Sequence, residues 1–151
     1  MLLGAGGAAR AIVTAMVKEK ASKITIVNRT LENANKLAEF AKKIGGNVDA
    51  APIQEVDELI ADYKFIINST SIGMKNEPSP ISTENISKNS IVYDIVYQPM
   101  NTDLIKKSKE NGATIIYGYE MLLSQAACSF EIWNKTEAPY DVMKKALLGG
   151  V

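Results

Sequence analysis

The chain has 151 residues, 46% of them apolar, and its seventeen basic residues balance seventeen acidic ones. That is one domain's worth of core, and a balanced charge leaves no electrostatic footprint for nucleic acid or an anionic membrane surface. Histidine is absent and cysteine occurs once, at Cys128, which excludes a Ser-His-Asp triad, a Cys-His dyad, an imidazole- or Cys-rich metal site and an internal disulfide. A reducing, cytoplasmic setting is therefore expected. No stretch approaches the roughly eighteen apolar residues that span a bilayer, and the N-terminus shows no secretory signal pattern.

Residues 1–3 are apolar and run into Gly4-Ala5-Gly6-Gly7, which reads as the end of a buried strand and a tight turn. Ala9, Ile12, Val13, Met16 and Val17 then recur at helical spacing over 8–20. The short, β-branched run 23–28 predicts a strand. Leu31, Ala34, Leu37, Ala38, Ala41 and Ile44 predict a second amphipathic helix, closed by Gly45-Gly46. A short strand at 47–51 and a short helix at 54–62 follow. Strands at 63–69 and 90–96 flank a proline-punctuated loop at 77–80. The remaining elements are a helix at 102–111 stopped by Gly112, a strand at 113–117, and helices at 118–133 and 139–148, the last with Pro139 in its first turn.

About six short apolar strands alternating with helices predict an α/β fold: a doubly wound, mostly parallel sheet of order 3-2-1-4-5-6 with C-terminal helices. In that order the first strand is central, yet only three residues precede Gly4. Buried strands usually run about five to six residues. The expectation is that the sequence is part of a longer protein, cut just before the glycine turn; a natural domain that tolerates a stub is the competing reading.

Gly4-Ala5-Gly6-Gly7-Ala8-Ala9 fits G-x-G-x-x-G/A, with Ala9 in the third small position. The first glycine permits the tight turn, the second lets backbone approach a pyrophosphate, and the third small residue lets the helix pack against the strand. The helix N-terminus then offers free N–H groups to the anion. The alternative is a turn that only packs a helix. NAD-binding folds usually carry Asp or Glu at the end of the second strand for the ribose 2′-hydroxyl. This chain has Asn28-Arg29-Thr30 there, and Arg29 is one of only two arginines. An arginine fork and a hydroxyl suit a 2′-phosphate, so the cofactor is expected to be NADP. Thr30 is also placed to cap the following helix. Lys36 and Arg10 could add charge nearby or simply face solvent.

The Gly4–Ala11 segment, Asn28-Arg29-Thr30, Asn68-Ser69-Thr70-Ser71-Ile72-Gly73-Met74, Asp94-Ile95-Val96-Tyr97-Gln98-Pro99 with Thr102 and Leu104, and Gly118-Tyr119-Glu120-Met121-Leu122 with Gln125-Ala126 occur in one order. Together they resemble the C-terminal, NADP-binding half of the shikimate dehydrogenase family over nearly the whole chain. The resemblance implies that Gly4, Ala5, Gly6, Gly7 and Ala8 hold the pyrophosphate and that Asn28, Arg29 and Thr30 hold the adenosine ribose and its 2′-phosphate. Thr70 and Ile95 would lie beside the cofactor, with Gly73 and Met74 near the ring. Gly118 would let backbone approach the nicotinamide. Tyr97 and Gln125 would reach the substrate, shikimate or 3-dehydroshikimate. Each has a plainer reading: Tyr97 as a loop anchor, Gln125 bonding within its helix, Met74 and Met121 as packing residues.

In that family a preceding domain supplies a catalytic Lys-Asp pair, and none of the fifteen lysines sits in a matching motif. Residues 1–151 are thus expected to be a cofactor-binding domain with no catalytic residue of its own and no turnover alone. A stand-alone NADP-binding or regulatory module, a quinate dehydrogenase and a glutamyl-tRNA reductase remain the alternatives. The apolar residues of the last two helices are expected to form a patch that invites self-association. Cys128 is expected to be a buried packing residue.

Overall fold

The computed structural model describes residues 1–149. Six strands, β1 (Leu2–Leu3), β2 (Ile24–Asn28), β3 (Val48–Pro52), β4 (Phe65–Asn68), β5 (Ile91–Asp94) and β6 (Thr114–Tyr117), form one sheet. Its order is β3-β2-β1-β4-β5-β6, and every pairing is parallel. The helices are α1 (Gly7–Lys18), α2 (Leu31–Lys43), α3 (Val56–Leu59), α4 (Asp103–Glu110), α5 (Gly118–Asn134) and α6 (Tyr140–Leu147). The order and the parallel pairing match the expectation from strand–helix alternation.

Alternation along the strands builds two cores, one on each face. Leu2, Ile26 and Ile67 meet Ala9 and Val13 of α1 and Ala34, Leu37, Ala38 and Ala41 of α2. Leu3, Val27 and Ile66 face the opposite core, with Val56, Ile60, Leu104 and Ile105. Burying each large aliphatic side chain contributes about 1.5–3 kcal/mol. The predicted helix at 54–62 is a composite: 3₁₀ turns at Ile53–Glu55 and Ile60–Asp62 flank one turn of α3. Only Val56 and Ile60, one turn apart, are fully buried there, so one helical turn suffices to dock the segment. Pro139 sits at the N-cap of α6 rather than in its first turn, with φ −74° and ψ 67°.

Cys128 is exposed, contrary to expectation. Beyond Gly118, helix α5 buries only Leu123 and Ala127, a narrow stripe at i, i+4, and Cys128 lies a further ~100° round the helix. In the last two helices the apolar residues Ile132, Trp133 and Val142 are 63%, 79% and 66% exposed. Among the described residues no helix is long and apolar enough to cross a membrane.

The two-residue β1 is nevertheless laddered on both sides. Ile67 N donates to Met1 O at 3.0 Å, Ser69 N to Leu3 O at 2.9 Å and Gly4 N to Val27 O at 2.8 Å. Met1 is 1% exposed, and its terminal nitrogen donates to Phe65 O at 2.7 Å. Burial lowers the pKa of that amine from 8.0 to about 5. The folded state therefore binds fewer protons than the unfolded chain between those values. In a polypeptide that starts at Met1, stability should be full above pH 8 and fall by about 3 kcal/mol on acidification to pH 5. Denaturant titrations across that range should show the slope for a polypeptide starting at Met1, and N-terminal acetylation should remove it. An unchanged slope after acetylation would refute the assignment to this amine.

Candidate functional site

All five motifs lie at the carboxyl ends of the parallel strands, the edge where open α/β sheets bind ligands. The first is the turn after β1. Gly4 has φ +103°, and a Cβ there would stand 2.8 Å from Ser69 Oγ, so both backbone and space demand glycine. Gly6 and Gly7 differ. A Cβ on either would meet nothing within 4 Å. Packing thus accounts for Gly4 but not for the two glycines that open toward solvent. Helix α1 begins at Gly7 with Gly6 as N-cap, no side-chain cap and no acidic residue in its first turn. Its first N–H groups are available to an anion.

At the end of β2, Asn28 Nδ2 donates to Thr30 O at 2.9 Å and shapes the turn. Thr30 is the N-cap of α2, but its side chain makes no capping bond, which corrects the capping role expected for it. Among the described residues its hydroxyl has no hydrogen-bond partner, and the Arg29 side chain has no ion pair or hydrogen bond. A groove of about 340 Å³ runs between the glycine turn and α2, lined by Ala5, Gly6, Gly7, Arg10, Asn33, Lys36 and Leu37. Arg10 is exposed, and its guanidinium carbon lies 3.8 Å from the centroid of the Phe40 ring.

The second half of the edge is organised by a buried polar cluster whose members, Asn68, Thr70, Asp94 and Thr102, all occur in the quoted motifs but whose mutual bonding the sequence did not reveal. Asn68 and Asp94 end the neighbouring strands β4 and β5, and both are fully buried. Asn68 Nδ2 donates to Asp94 Oδ1 at 2.9 Å, and Val96 N donates to the same oxygen at 3.0 Å. Thr102 Oγ1 donates to Asp94 Oδ2 at 2.7 Å and accepts from Ile105 N at 3.3 Å as the N-cap of α4. Thr70 Oγ1 donates to Asn68 Oδ1 at 2.7 Å. Burial pushes the Asp94 carboxyl above the usual carboxylate range, against the three hydrogen bonds that favour its ionised form. The signal in the sequence was a polar residue ending each of two adjacent apolar strands, where an unpaired polar side chain would be costly.

This cluster fixes the loops that form a cleft of about 570 Å³, lined by Ser69, Thr70, Ser71, Met74, Ile95, Val96, Tyr97 and Gln98. Thr70, Ile95 and Tyr97 are thereby brought together. Met74 and Tyr97 are 55% and 48% exposed, so neither is a core packing residue. Gly118, at the start of α5, lies against the same loop. A Cβ there would stand 2.5 Å from both Ile95 O and Val96 O, so the chain's own backbone requires this glycine. Gln125, two turns further along α5, is exposed and does not line the cleft; its side chain has no hydrogen-bond partner among the described residues.

A family model described as Shikimate / quinate 5-dehydrogenase matches residues 1–98, and one described as Shikimate 5′-dehydrogenase C-terminal domain matches residues 118–148. The chain is 63% identical over 150 residues to a Nitrosopumilus maritimus protein named shikimate dehydrogenase (NADP(+)), covering 99% of this chain and 55% of that one. It superposes on quinate dehydrogenase from Corynebacterium glutamicum in complex with NAD with a TM-score of 0.91 at 25% identity, over 98% of this chain and 54% of that one. Shikimate 5-dehydrogenase from Thermus thermophilus, in complex with NADP(H) and shikimate, gives a TM-score of 0.83 at 28% identity, over 99% and 54%. The chain spans about half the length of the curated relatives it matches.

Proposed function

Since this chain belongs to the shikimate / quinate 5-dehydrogenase family, we propose that it is the NADP-binding part of a shikimate dehydrogenase. The reaction would move a hydride between NADPH and 3-dehydroshikimate, giving shikimate and NADP. In this reading Gly4, Ala5, Gly6, Gly7 and Ala8 receive the pyrophosphate, and Asn28, Arg29 and Thr30 receive the ribose 2′-phosphate. Thr70, Ile95 and the α5 end at Gly118 border the nicotinamide. Tyr97, half-exposed at the cleft, faces the substrate, and Gln125, exposed on α5 outside the cleft lining, is assigned a contact to the substrate from beyond that wall. The cofactor supplies the hydride chemistry, and the chain orients it and walls one side of the cleft. No Lys-Asp pair lines that cleft, so the proton donor and the grip on the substrate carboxylate are assigned to a separate catalytic portion, and residues 1–151 to the cofactor domain. The single cysteine fits a cytoplasmic setting.

The observation that carries this reading is the glycine turn, where Gly6 and Gly7 have open space that packing does not explain. It gives a direct test. Gly6 has φ −89° and ψ −166°, which any residue adopts, so Gly6→Ala should cost no more than about 1 kcal/mol, the loss that alanine brings at an N-cap. The added methyl should nonetheless keep a pyrophosphate from the backbone and weaken NADP binding about tenfold or more. Calorimetric titration of both proteins with NADP, NAD and shikimate would show it. NADP should bind above NAD, and shikimate should be silent. A parent that binds neither nucleotide, though folded by circular dichroism, would refute the proposal.

A further inference from the structure

The loop at 71–79 carries Met74 into the cleft, and its seat is the start of α4. Gly73 is buried with φ +106°, and a Cβ there would stand 3.0 Å from Thr102 Cγ2 but 4.0 Å from Thr102 Oγ1. Thr102 thus turns its methyl to the loop and its hydroxyl away from it. That hydroxyl donates to Asp94 Oδ2 at 2.7 Å and accepts from Ile105 N at 3.3 Å. Both bonds, with the near-complete burial of Thr102, hold this β-branched side chain in one rotamer. The next residue ties the far end of the loop: Asp103 Oδ2 accepts from Ser79 N at 2.8 Å. Between these anchors the loop is braced on itself. Glu77 Oε2 accepts from Gly73 N at 3.0 Å and from Lys75 N at 2.8 Å, on either side of Met74. Met74 N donates to Ser71 O and Asn76 N to Gly73 O, both at 3.2 Å. The Met74 side chain is nevertheless left standing in the open cleft. Packing does not explain so fully bonded a backbone beneath an exposed, adaptable thioether.

We propose that Thr102 is a positioning residue for the cofactor: its methyl seats Gly73 and so sets Met74 as an apolar wall against the nicotinamide ring. The inference rests on the function proposed above, which puts the ring beside Thr70 and Ile95, in the cleft that Met74 also lines. Thr102 touches no ligand, and its two branches divide the work. The hydroxyl serves the fold, because it completes the Asp94 cluster and caps α4. The methyl serves the cleft. Without it Gly73 settles toward α4 and draws Met74 away from the ring. A wall fixed before the ring arrives spares binding the entropy of ordering it.

The test separates the two branches. Thr102→Ser keeps the hydroxyl and drops the methyl, and Thr102→Val does the reverse at nearly the same shape. Glu77→Ala, outside the buried cluster, loosens the same loop by a second route. Each variant and the parent are titrated calorimetrically, well below their thermal midpoints, with NADP and with 2′,5′-ADP, which lacks the nicotinamide half. Thr102→Ser and Glu77→Ala should raise the NADP dissociation constant about fivefold and leave 2′,5′-ADP within about twofold. Their thermal midpoints should fall by no more than about 4 °C. Amide hydrogen exchange at Gly73 and Lys75 should quicken about tenfold in both. Thr102→Val should lower the midpoint by about 6 °C or more and leave the ratio of the two dissociation constants as in the parent. A Thr102→Ser protein that binds NADP as the parent does, or that weakens both ligands alike, overturns the inference and leaves the proposed function standing. A folded parent that binds neither ligand overturns both.

Discussion

Gly118→Ala should destabilise the chain by about 3 kcal/mol, read as a lower denaturant midpoint at unchanged m. The new methyl has nowhere to go. It would lie 2.5 Å from two backbone carbonyl oxygens, Ile95 O and Val96 O, and 2.6 Å from the Ile95 carbonyl carbon. A flexible side-chain tip could swing aside, but these atoms belong to the loop pinned by Asp94 through Val96 N. Either α5 lifts off the sheet edge or the loop gives up that bond. Both responses also move Ile95 and Tyr97, which share the cleft. NADP binding should fall with stability in this variant, whereas in Gly6→Ala binding falls with little loss of stability. A midpoint within error of the parent would show that α5 is seated more loosely than its position implies.

The second large effect is at Asp94. Asp94→Ala removes the common acceptor of three donors, Asn68 Nδ2, Val96 N and Thr102 Oγ1. Each donor left unsatisfied in a buried place costs about 1–3 kcal/mol, so a total loss of about 3–5 kcal/mol is expected. Domains of this size are stable by about 5–15 kcal/mol, so the variant should be close to unfolding at ambient temperature. Asp94→Asn should be much milder. Its oxygen can still accept from Asn68 and Val96, and the Thr102 hydroxyl can turn to accept from the new amide. The pH behaviour separates the two roles of the carboxyl. Burial raises its pKa in the folded state, so that state binds more protons than the unfolded chain just above the ordinary carboxylate value. The penalty is absent below the unfolded pKa and complete above the folded one, and stability falls as pH rises through that window. Asp94→Asn should lack this slope while keeping most of the fold. Equal destabilisation by alanine and asparagine would mean that the charge, not the hydrogen bonds, holds the three loops.

Much of the architecture was legible because strand period, helix period and glycine stops pointed the same way. Ile24, Ile26, Val27, Ile66 and Val92 are apolar in short runs and fully buried, as a doubly covered parallel sheet requires. The glycine turn and the Asn28-Arg29-Thr30 turn were legible because each combines a local backbone demand with a chemical one. What stayed hidden depended on long-range neighbours. Nothing near Gly118 in the sequence shows that Ile95 and Val96 occupy its Cβ direction. Nothing near Arg10 shows that Phe40, thirty positions on, will sit beneath it. Asn68 and Asp94 were visible as ends of strands, but their mutual bond exists only because β4 and β5 are neighbours in register. Cys128 was misread because composition says how apolar α5 is and not which stripe of it meets the sheet.

The exposure of Trp133 has a practical consequence for all of these experiments. It is the only tryptophan in the chain, and it stands 79% exposed on the outer end of α5. An indole that is wet before and after unfolding changes its emission little, so intrinsic fluorescence is a poor gauge of the folding transition here. Backbone ellipticity should follow it instead. The same indole becomes an optical sentinel for its own neighbourhood, since its spectrum shifts only when something dry comes to rest against α5 and α6.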